Sequence, residues 1–514
     1  MQYVLDSLLF IISNPVELLI LWGCSVIGLV LGAIPGLSGG TAIILMLPVT
    51  FVMPAKIAMS MLMAFYIGGI SGSFIGAILL GIPGSGSSVA TVFDGYPMTK
   101  KGKSVEALGI GIVASFIGTF TSCLVAMFIT KPVAAIALRM GPWEYFSLCL
   151  CAIMMVVALS KDDIPKGLMS GFLGLLFSCV GMAPLDSTQR FTFGVYQLYS
   201  GLTLVGVMMG VFAISQVLVS HAKGQKEMPE VKLGKDIKGI GISMKDIWDQ
   251  KINIIRSWFV GLWIGFLPGM GSGISCMVAY GMARNASPVP ETFGEGNPDG
   301  VWAPECANNA SIGGALIPLV ALGIPGDSNG AYLLSALMIQ GMIPGPLIMD
   351  TNPDVIYLIF VSAMVCSLLI LVTQYFGVRF FPMILKAPYN YLFGTILAMC
   401  FTGAYSNGNS MFALKILFFF AIIGVAFAYF NIPQTPFTLA FVLSKQLETN
   451  FRKAVTYSTK GGYAEFFTRP FSLIFLLIAA YSLLSPFLGP VVLRLIGKDP
   501  DKVKEVMSND SEED

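Results

Sequence analysis

Two Pro-Gly interruptions break the apolar sequence of this chain, and the same pair then occurs again. Gly32-Ala33-Ile34-Pro35-Gly36-Leu37-Ser38-Gly39-Gly40 lies near the start, and Gly265-Phe266-Leu267-Pro268-Gly269-Met270-Gly271-Ser272-Gly273 opens the second half. One apolar segment later each copy breaks again, at Gly81-Ile82-Pro83-Gly84 and at Gly323-Ile324-Pro325-Gly326. Proline lacks the N–H a helix needs and glycine frees the backbone, so helices break at these points. Irregular backbone at membrane depth is tolerated only where protein buries it or it lines a cavity. Paired interruptions at matching positions of two halves point to a transporter binding site.

Composition fixes the class. Hydrophobic residues make up 55% of the chain and charged residues 11%, with a mean hydropathy of +0.79. A soluble domain carries about 25% charged residues. Apolar runs such as 18–31, 107–130 and 471–496 recur, several long enough for the ~30 Å of hydrocarbon in a bilayer. The alternating segments of roughly ten residues that build a β-barrel are absent. The chain reads as an all-α polytopic membrane protein with about 10–12 transmembrane segments.

Several functions are excluded. A net charge of +1 offers no field for nucleic acid. The nine cysteines are scattered, mostly in apolar segments, and read as small buried hydrophobes. The only histidine, His221, sits in a polar linker, which removes a multi-histidine metal site and a Ser-His hydrolase. No GxxxxGK[ST] phosphate loop is present. No catalytic residue, metal or cofactor is expected, so the chain is not read as an enzyme. The N-terminus lacks a basic n-region and a small-residue cleavage site, and the first membrane segment is expected to direct insertion itself.

The one long hydrophilic stretch, 221–256, holds eight Lys/Arg and five Asp/Glu. It divides a first membrane repeat, 1–220, from a second, 257–497, with a polar tail at 498–514. Its basic excess places it in the cytoplasm. In the first half, broken segments at 18–47 and 57–93 are followed by a basic loop at 94–106 and spans near 105–130, 144–160, 167–183 and 198–220. In the second, broken segments at 257–283 and 306–340 flank a polar loop at 284–305, with spans near 356–380, 389–405, 411–430 and 470–495. Partner landmarks stand 233 to 249 residues apart, as small insertions would space them.

Loop charges bear on orientation. Lys100, Lys101 and Lys103 answer to Asp350 and Asp354; Lys56 answers to Glu291, Glu295, Asp299 and Glu305 against Arg284; the loop of Asp186 and Arg190 answers to one with Lys445, Arg452, Lys453 and Lys460 against Glu448. Basic in one copy and acidic or balanced in the other, these pairs fit two inverted-topology repeats. Both termini then face outward.

The breaks also carry the candidate site. Ser38, Gly39, Gly40 and Thr41 follow Pro35-Gly36; Ser85, Gly86, Ser87 and Ser88 follow Pro83-Gly84; Gly271, Ser272, Gly273 and Ser275 follow Pro268-Gly269; Asp327, Ser328, Asn329 and Gly330 follow Pro325-Gly326. Each run is a Gly/Ser-rich start of a half-helix, where free N–H groups and the positive dipole end suit a carboxylate. The plainer alternative is that the small residues only let helices pack closely. Asn308 and Asn309 offer carbonyl ligands to Na⁺, donors to a carboxylate, or caps to a helix. Asp327, the one acid in the four runs, would hold a cation or a proton or would cap a half-helix. Asp94 reads as structural and Glu144, between Trp143 and Tyr145, as interfacial.

Gly32–Gly40, Gly81-Ile82-Pro83-Gly84 with Phe93-Asp94-Gly95-Tyr96-Pro97, Pro304-Glu305-Cys306-Ala307-Asn308-Asn309-Ala310, and 322–326 with 341–346 resemble the large membrane subunit of tripartite tricarboxylate transporters (TctA type). The resemblance covers nearly the whole chain. It implies a bacterial inner-membrane secondary transporter of carboxylates such as citrate, driven by a Na⁺ or H⁺ gradient. It also implies two partners, a small membrane subunit (TctB type) and a periplasmic solute-binding protein (TctC type). Asp327 departs from the small neutral residue expected after its Pro-Gly. An anion channel and a non-transporting docking scaffold are the rival readings. Oligomeric state, including a homo-oligomer, stays open, as does elevator against rocking movement.

Overall fold

The computed structural model describes residues 2–34, 39–50, 52–158, 160, 163–223, 239–385, 389–406, 410–458 and 462–495. Helices dominate. The first half holds α1 (Gln2–Ile12), α2 (Pro15–Ala33), α3 (Gly39–Thr50), α4 (Ala55–Leu80), α5 (Val89–Lys100), α6 (Ser104–Ala137), α7 (Pro142–Ala158), α8 (Ile164–Ser178), α9 (Leu204–Met208) and α10 (Ser215–Lys223), the last two joined by a π-helical turn at Met209–Ile214. After α11 (Met244–Asp249), the second half holds α12 (Lys251–Phe266), α13 (Gly271–Ala286), α14 (Asp299–Leu322), α15 (Ser328–Ile339), α16 (Ile348–Thr351), α17 (Pro353–Gly377), α18 (Phe381–Leu385), α19 (Tyr389–Ser406), α20 (Met411–Tyr429), α21 (Gln434–Tyr457), α22 (Ala464–Thr468) and α23 (Pro470–Leu495). Among the described residues the only strands are the two-residue pair β1 (Gly181–Met182) and β2 (Gln189–Arg190).

Six described helical stretches are long and apolar enough to cross a membrane: Pro15–Ala33, Ala55–Leu80, Ser104–Ala137, Leu204–Ala222, Pro353–Leu385 and Met411–Tyr429. Shorter apolar helices, among them Gly39–Thr50 and Ser328–Ile339, accompany them. A polytopic all-α membrane protein is therefore what the chain forms.

Local chemistry sets the ends. Asn14 caps α2 through Val16 and Glu17 N–H, with Pro15 in the first turn. Gly81 closes α4 and Gly323 closes α14 with φ of 68° and 70°, the left-handed conformation that glycine adopts without strain. Past Gly81 the chain doubles back, so that Gly84 N–H donates to the Ser73 carbonyl at 3.3 Å. α5 then runs out beside α4 again, and Thr99 Oγ1 donates to the Ile78 carbonyl at 2.8 Å. The result is a re-entrant hairpin, α4–α5, whose returning segment at 82–88 forms its tip and whose second helix runs in the same direction as the end of the first. α14–α15 forms the second.

The same close approaches recur in both halves. A side chain at Gly28 would strike the Phe65 carbonyl, and one at Gly261 the Ala307 carbonyl. Gly32 meets Gly69 as Gly265 meets Ser311; Gly72 meets Leu29 as Gly314 meets Leu262; Gly84 meets Gly32 as Gly326 meets Gly265. α2 thus packs on the first hairpin as α12 packs on the second, backbone against backbone. α4 and α14 are buried along nearly their whole lengths and form the centre. α6 lies along α14 in the same direction: Gly118 faces Cys306 and Ala310, and Ser122 faces Gly313. α17 likewise follows α4, from the Lys56–Asp354 ion pair at 3.0 Å to Gln374 Nε2 donating to the Ser71 carbonyl at 2.9 Å.

Three expectations change. The stretch 94–106 is not a loop: α5 continues to Lys100, its Pro97 tolerated within the helix. Nor is 284–305, because α13 runs to Ala286 and α14 starts at Asp299, which puts Glu305 inside a helix. Lys445, Arg452 and Lys453 stand on α21, whose opposite face buries Phe437, Ala440 and Leu443. Arg190 pairs with Glu448 at 2.8 Å and Arg452 with Asp186 at 2.7 Å. These two segments, compared above as loops on opposite faces, lie against each other. Lys460, Pro35, Gly36, Ser38 and the tail at 498–514 fall outside the described residues.

Candidate functional site

The first tip sits against the run after the second half's first break, and the second tip against Tyr66 of α4 and Gly271 of its own half. At the second tip Asp327 caps α15, its Oδ1 accepting Gly330 N–H at 2.7 Å. Its Oδ2 accepts the Tyr66 hydroxyl of α4 at 2.9 Å. Gly271 packs directly on the Asp327 Cβ. Pro325, Asp327 and Ser328 line a crevice with Gly269 and Thr438, of about 10 Å³, room for one water centre. The half-helix cap considered for Asp327 is present, and Tyr66 adds a bond between the halves.

At the first tip Ser85 Oγ and Ser87 Oγ lie 2.6 Å apart, and Ser87 Oγ lies 3.1 Å from Ser73 Oγ. Ser88 Oγ donates to the Ser73 carbonyl at 3.1 Å. The Gly86 carbonyl accepts the Cys276 thiol at 3.9 Å and lies beside Gly273. Ser275 Oγ donates to the Ser272 carbonyl at 2.8 Å. Ser272, Ser328 and Asn329 are partly exposed. Gly39 is pressed on Gly69. Gly40 is buried, and Thr41 Oγ1 donates to Gln216 Oε1 at 2.8 Å, which turns that hydroxyl toward α10. Of the four runs, those after Pro83, Pro268 and Pro325 meet across the two halves.

A buried polar network stands beside the tips. Glu305 is fully buried; its Oε1 accepts the Thr91 hydroxyl at 2.5 Å and its Oε2 the Ser115 hydroxyl at 3.4 Å. Asn309 Nδ2 donates to Ser115 Oγ at 2.9 Å, and its Oδ1 accepts Thr119 at 3.1 Å and Ser71 at 3.3 Å. Asn308 is also fully buried, and its side-chain amide bonds to the Glu305 carboxylate one turn before it. Both asparagines lie mid-helix in α14, so capping is not their role. No Lys or Arg among the described residues pairs with Glu305 or Asp327. Sequence reasoning passed over Glu305 as a loop acid; the signal was its place three residues before Asn308 in an otherwise apolar segment.

Asp94 acts structurally. It is fully buried at the far arm of the first hairpin, and its Oδ1 accepts N–H from Gly294, Gly296 and Asn297 at 3.0, 2.8 and 2.7 Å. Glu144 takes Gly141 N–H at 2.8 Å and Arg469 at 3.4 Å, with Arg469 stacked over Trp143 at 3.8 Å.

A polytopic helical body with two broken-helix hairpins and a polar, base-free junction between them defines a membrane transport protein. Residues 18–439 match the tripartite tricarboxylate transporter TctA family, and the chain belongs to that family, which is one of transporter subunits and not of enzymes. It is 31% identical over 471 residues, 91% of both chains, to an uncharacterized 52.8 kDa protein in the TAR-I ttuC' 3' region of Agrobacterium vitis. It is 32% identical over 250 residues, 49% of this chain and the whole of the relative, to an uncharacterized protein in the TAR-II ttuC' 3' region of the same organism. No solved structure matches.

Proposed function

We propose that this chain is the large membrane subunit of a binding-protein-dependent importer that carries a di- or tricarboxylate such as citrate across the bacterial inner membrane by cation-coupled alternating access. The observation that carries the reading is the meeting of the Gly/Ser-rich runs after Pro83, Pro268 and Pro325, across two halves, with no basic side chain among them. Backbone N–H groups, hydroxyls and half-helix dipoles bind a carboxylate there without a charged lysine or arginine in the bilayer. Ser38 and its neighbours complete the set on this reading. A TctB-type small membrane subunit and a TctC-type periplasmic binding protein deliver the substrate.

The halves, 1–220 and 257–497, are read as inverted repeats joined by the cytoplasmic linker. Supporting this, α6 leaves the end of α4, passes Phe74 at Gly111, and then runs in the same direction as α14. α14, the counterpart of α4, therefore runs opposite to it. Na⁺ or H⁺ couples at Asn308, Asn309 and Asp327. Buried polar groups without a counter-charge at membrane depth are costly unless function keeps them.

The test is uptake of radiolabelled citrate and a C4-dicarboxylate into proteoliposomes with both partners, under an imposed Na⁺ or H⁺ gradient. Accumulation with one gradient supports the reading. Flux that never exceeds equilibrium indicates a channel, and no flux at all a docking scaffold. In the same vesicles Ser38→Ala, Ser85→Ala and Ser272→Ala raise the substrate KM; unchanged uptake in all three removes the junction as the site.

A further inference from the structure

The second hairpin tip carries a charge that its counterpart lacks. Gly84 packs on Gly32 as Gly326 packs on Gly265, so the residue that follows is Ser85 at the first tip and Asp327 at the second. The Asp327 carboxyl is an acceptor on both oxygens. Oδ1 takes Gly330 N–H at 2.7 Å and Oδ2 takes the Tyr66 hydroxyl at 2.9 Å. A carboxylate has about four acceptor sites, and these bonds use two. No Lys or Arg among the described residues pairs with it. A carboxylate at membrane depth without a counter-charge is costly. The crevice beside it is polar and small. α21 walls it on one side, and Ser328, Thr435 and Thr438 line it with Asp327. Thr438 is buried, and its Oγ1 donates to the Gln434 carbonyl at 3.1 Å. That bond uses the hydroxyl's one proton and leaves its oxygen as an acceptor. The volume of about 10 Å³ admits one particle the size of a water and no di- or tricarboxylate.

We propose that this crevice holds one sodium ion, bound by the Asp327 carboxylate and the hydroxyl oxygens of Ser328, Thr435 and Thr438, and that this ion is the one coupled to transport. The inference rests on the cation-coupled reading and deepens it. It names the ion, moves Ser328 from the substrate to the ion, and adds two ligands from α21, Thr435 and Thr438, that no sequence motif marks. Hard cations take oxygen ligands, and a single carboxylate balances a single positive charge. A proton on either Asp327 oxygen competes with the Tyr66 hydroxyl or Gly330 N–H already there, whereas a sodium ion leaves both bonds in place. Bound in this way, the ion ties the tip of the second hairpin to α21.

The full chain in lipid nanodiscs is unfolded thermally in NaCl, KCl and choline chloride of equal ionic strength, with no carboxylate present. Na⁺ is expected to raise Tm saturably, as a ligand of the folded state does, and K⁺ and choline are not. Thr435→Val and Thr438→Val remove one oxygen each. Each should lower the apparent Na⁺ affinity roughly tenfold or more, the worth of a polar contact to a charged group. The readout is the sodium-dependent rise, so a lower Tm in choline chloride does not count against a variant. Asp327→Asn should abolish the rise, and the threonine variants keep the test intact if Asp327→Asn fails to fold. An equal rise in K⁺ overturns the inference, as does a Tm set by pH and indifferent to Na⁺. So does a rise of wild-type affinity in both threonine variants. Failure of the wider reading looks different. A threonine-dependent Na⁺ rise in a protein that accumulates no carboxylate in proteoliposomes leaves the ion site standing and removes the carboxylate. Sodium-driven citrate uptake that both threonine variants keep, with wild-type Na⁺ dependence, removes the ion site and leaves transport standing.

Discussion

The backbone N–H of Asn297 donates to the Asp94 carboxylate at 2.7 Å. This bond ties the outer arm of the first hairpin to the segment that leads into the second. Gly294 and Gly296 donate to the same oxygen, and the Tyr280 hydroxyl reaches Oδ2 at 3.0 Å. Removing the acceptor leaves three backbone N–H donors and the Tyr280 hydroxyl without it. Asp94→Ala is expected to lower stability by on the order of 2–4 kcal/mol, read as a fall in Tm of the purified protein, and Tyr280→Phe by less.

The backbone-to-backbone seams predict a sharp difference between glycines. A methyl group at Gly32 or Gly265 strikes a carbonyl of the neighbouring hairpin, whereas nothing lies within 4 Å of the position at Gly281. Gly32→Ala and Gly265→Ala should each cost about 1–3 kcal/mol. Gly281→Ala, within α13, should be neutral or stabilising by up to about 1 kcal/mol. Thermal unfolding of the three proteins side by side gives the answer.

Glu305 has two hydroxyl partners and no counter-charge. Glu305→Gln keeps the shape and removes the charge. Gradient-driven uptake should fall roughly tenfold or more, each factor of ten being about 1.4 kcal/mol, with the monodisperse fold retained on size-exclusion chromatography. Uptake equal to wild type under both gradients would sink a coupling role for this network.

Asp186 lies in the loop that α21 holds. Thr188 N–H foremost, and then Arg452, keep its carboxyl down at about 2, against an ordinary value of 3.8. A carboxylate depressed in the folded state contributes stability above its ordinary pKa, and that contribution drains away as pH falls through the folded value. Asp186→Asn should therefore lower Tm by the same amount at about pH 5 and pH 8, the difference shrinking only below about pH 4. A difference that changes between the two higher values would mean another titrating group controls this contact.

Much of the architecture was legible because proline and glycine act locally. Pro83-Gly84 and Pro325-Gly326 mark the breaks wherever the chain lies, and Gly81 and Gly323 end the preceding helices in the left-handed conformation. What stayed hidden depended on distance. Glu291, Glu295 and Asp299 make the stretch before Asn308 look solvated, yet Glu305, six residues past Asp299, is enclosed by Thr91 and Ser115, which are far away in sequence. α21 was missed for a related reason: Lys445, Glu448 and Arg452 interrupt its apolar sequence, and the partners of Glu448 and Arg452, Arg190 and Asp186, belong to the other half.

Both tips lean on the opposite half, Gly86 on Cys276 and Asp327 on Tyr66. Neither half can finish its own junction. A chain severed within 221–256 should regain its fold only when both fragments are made in the same cell.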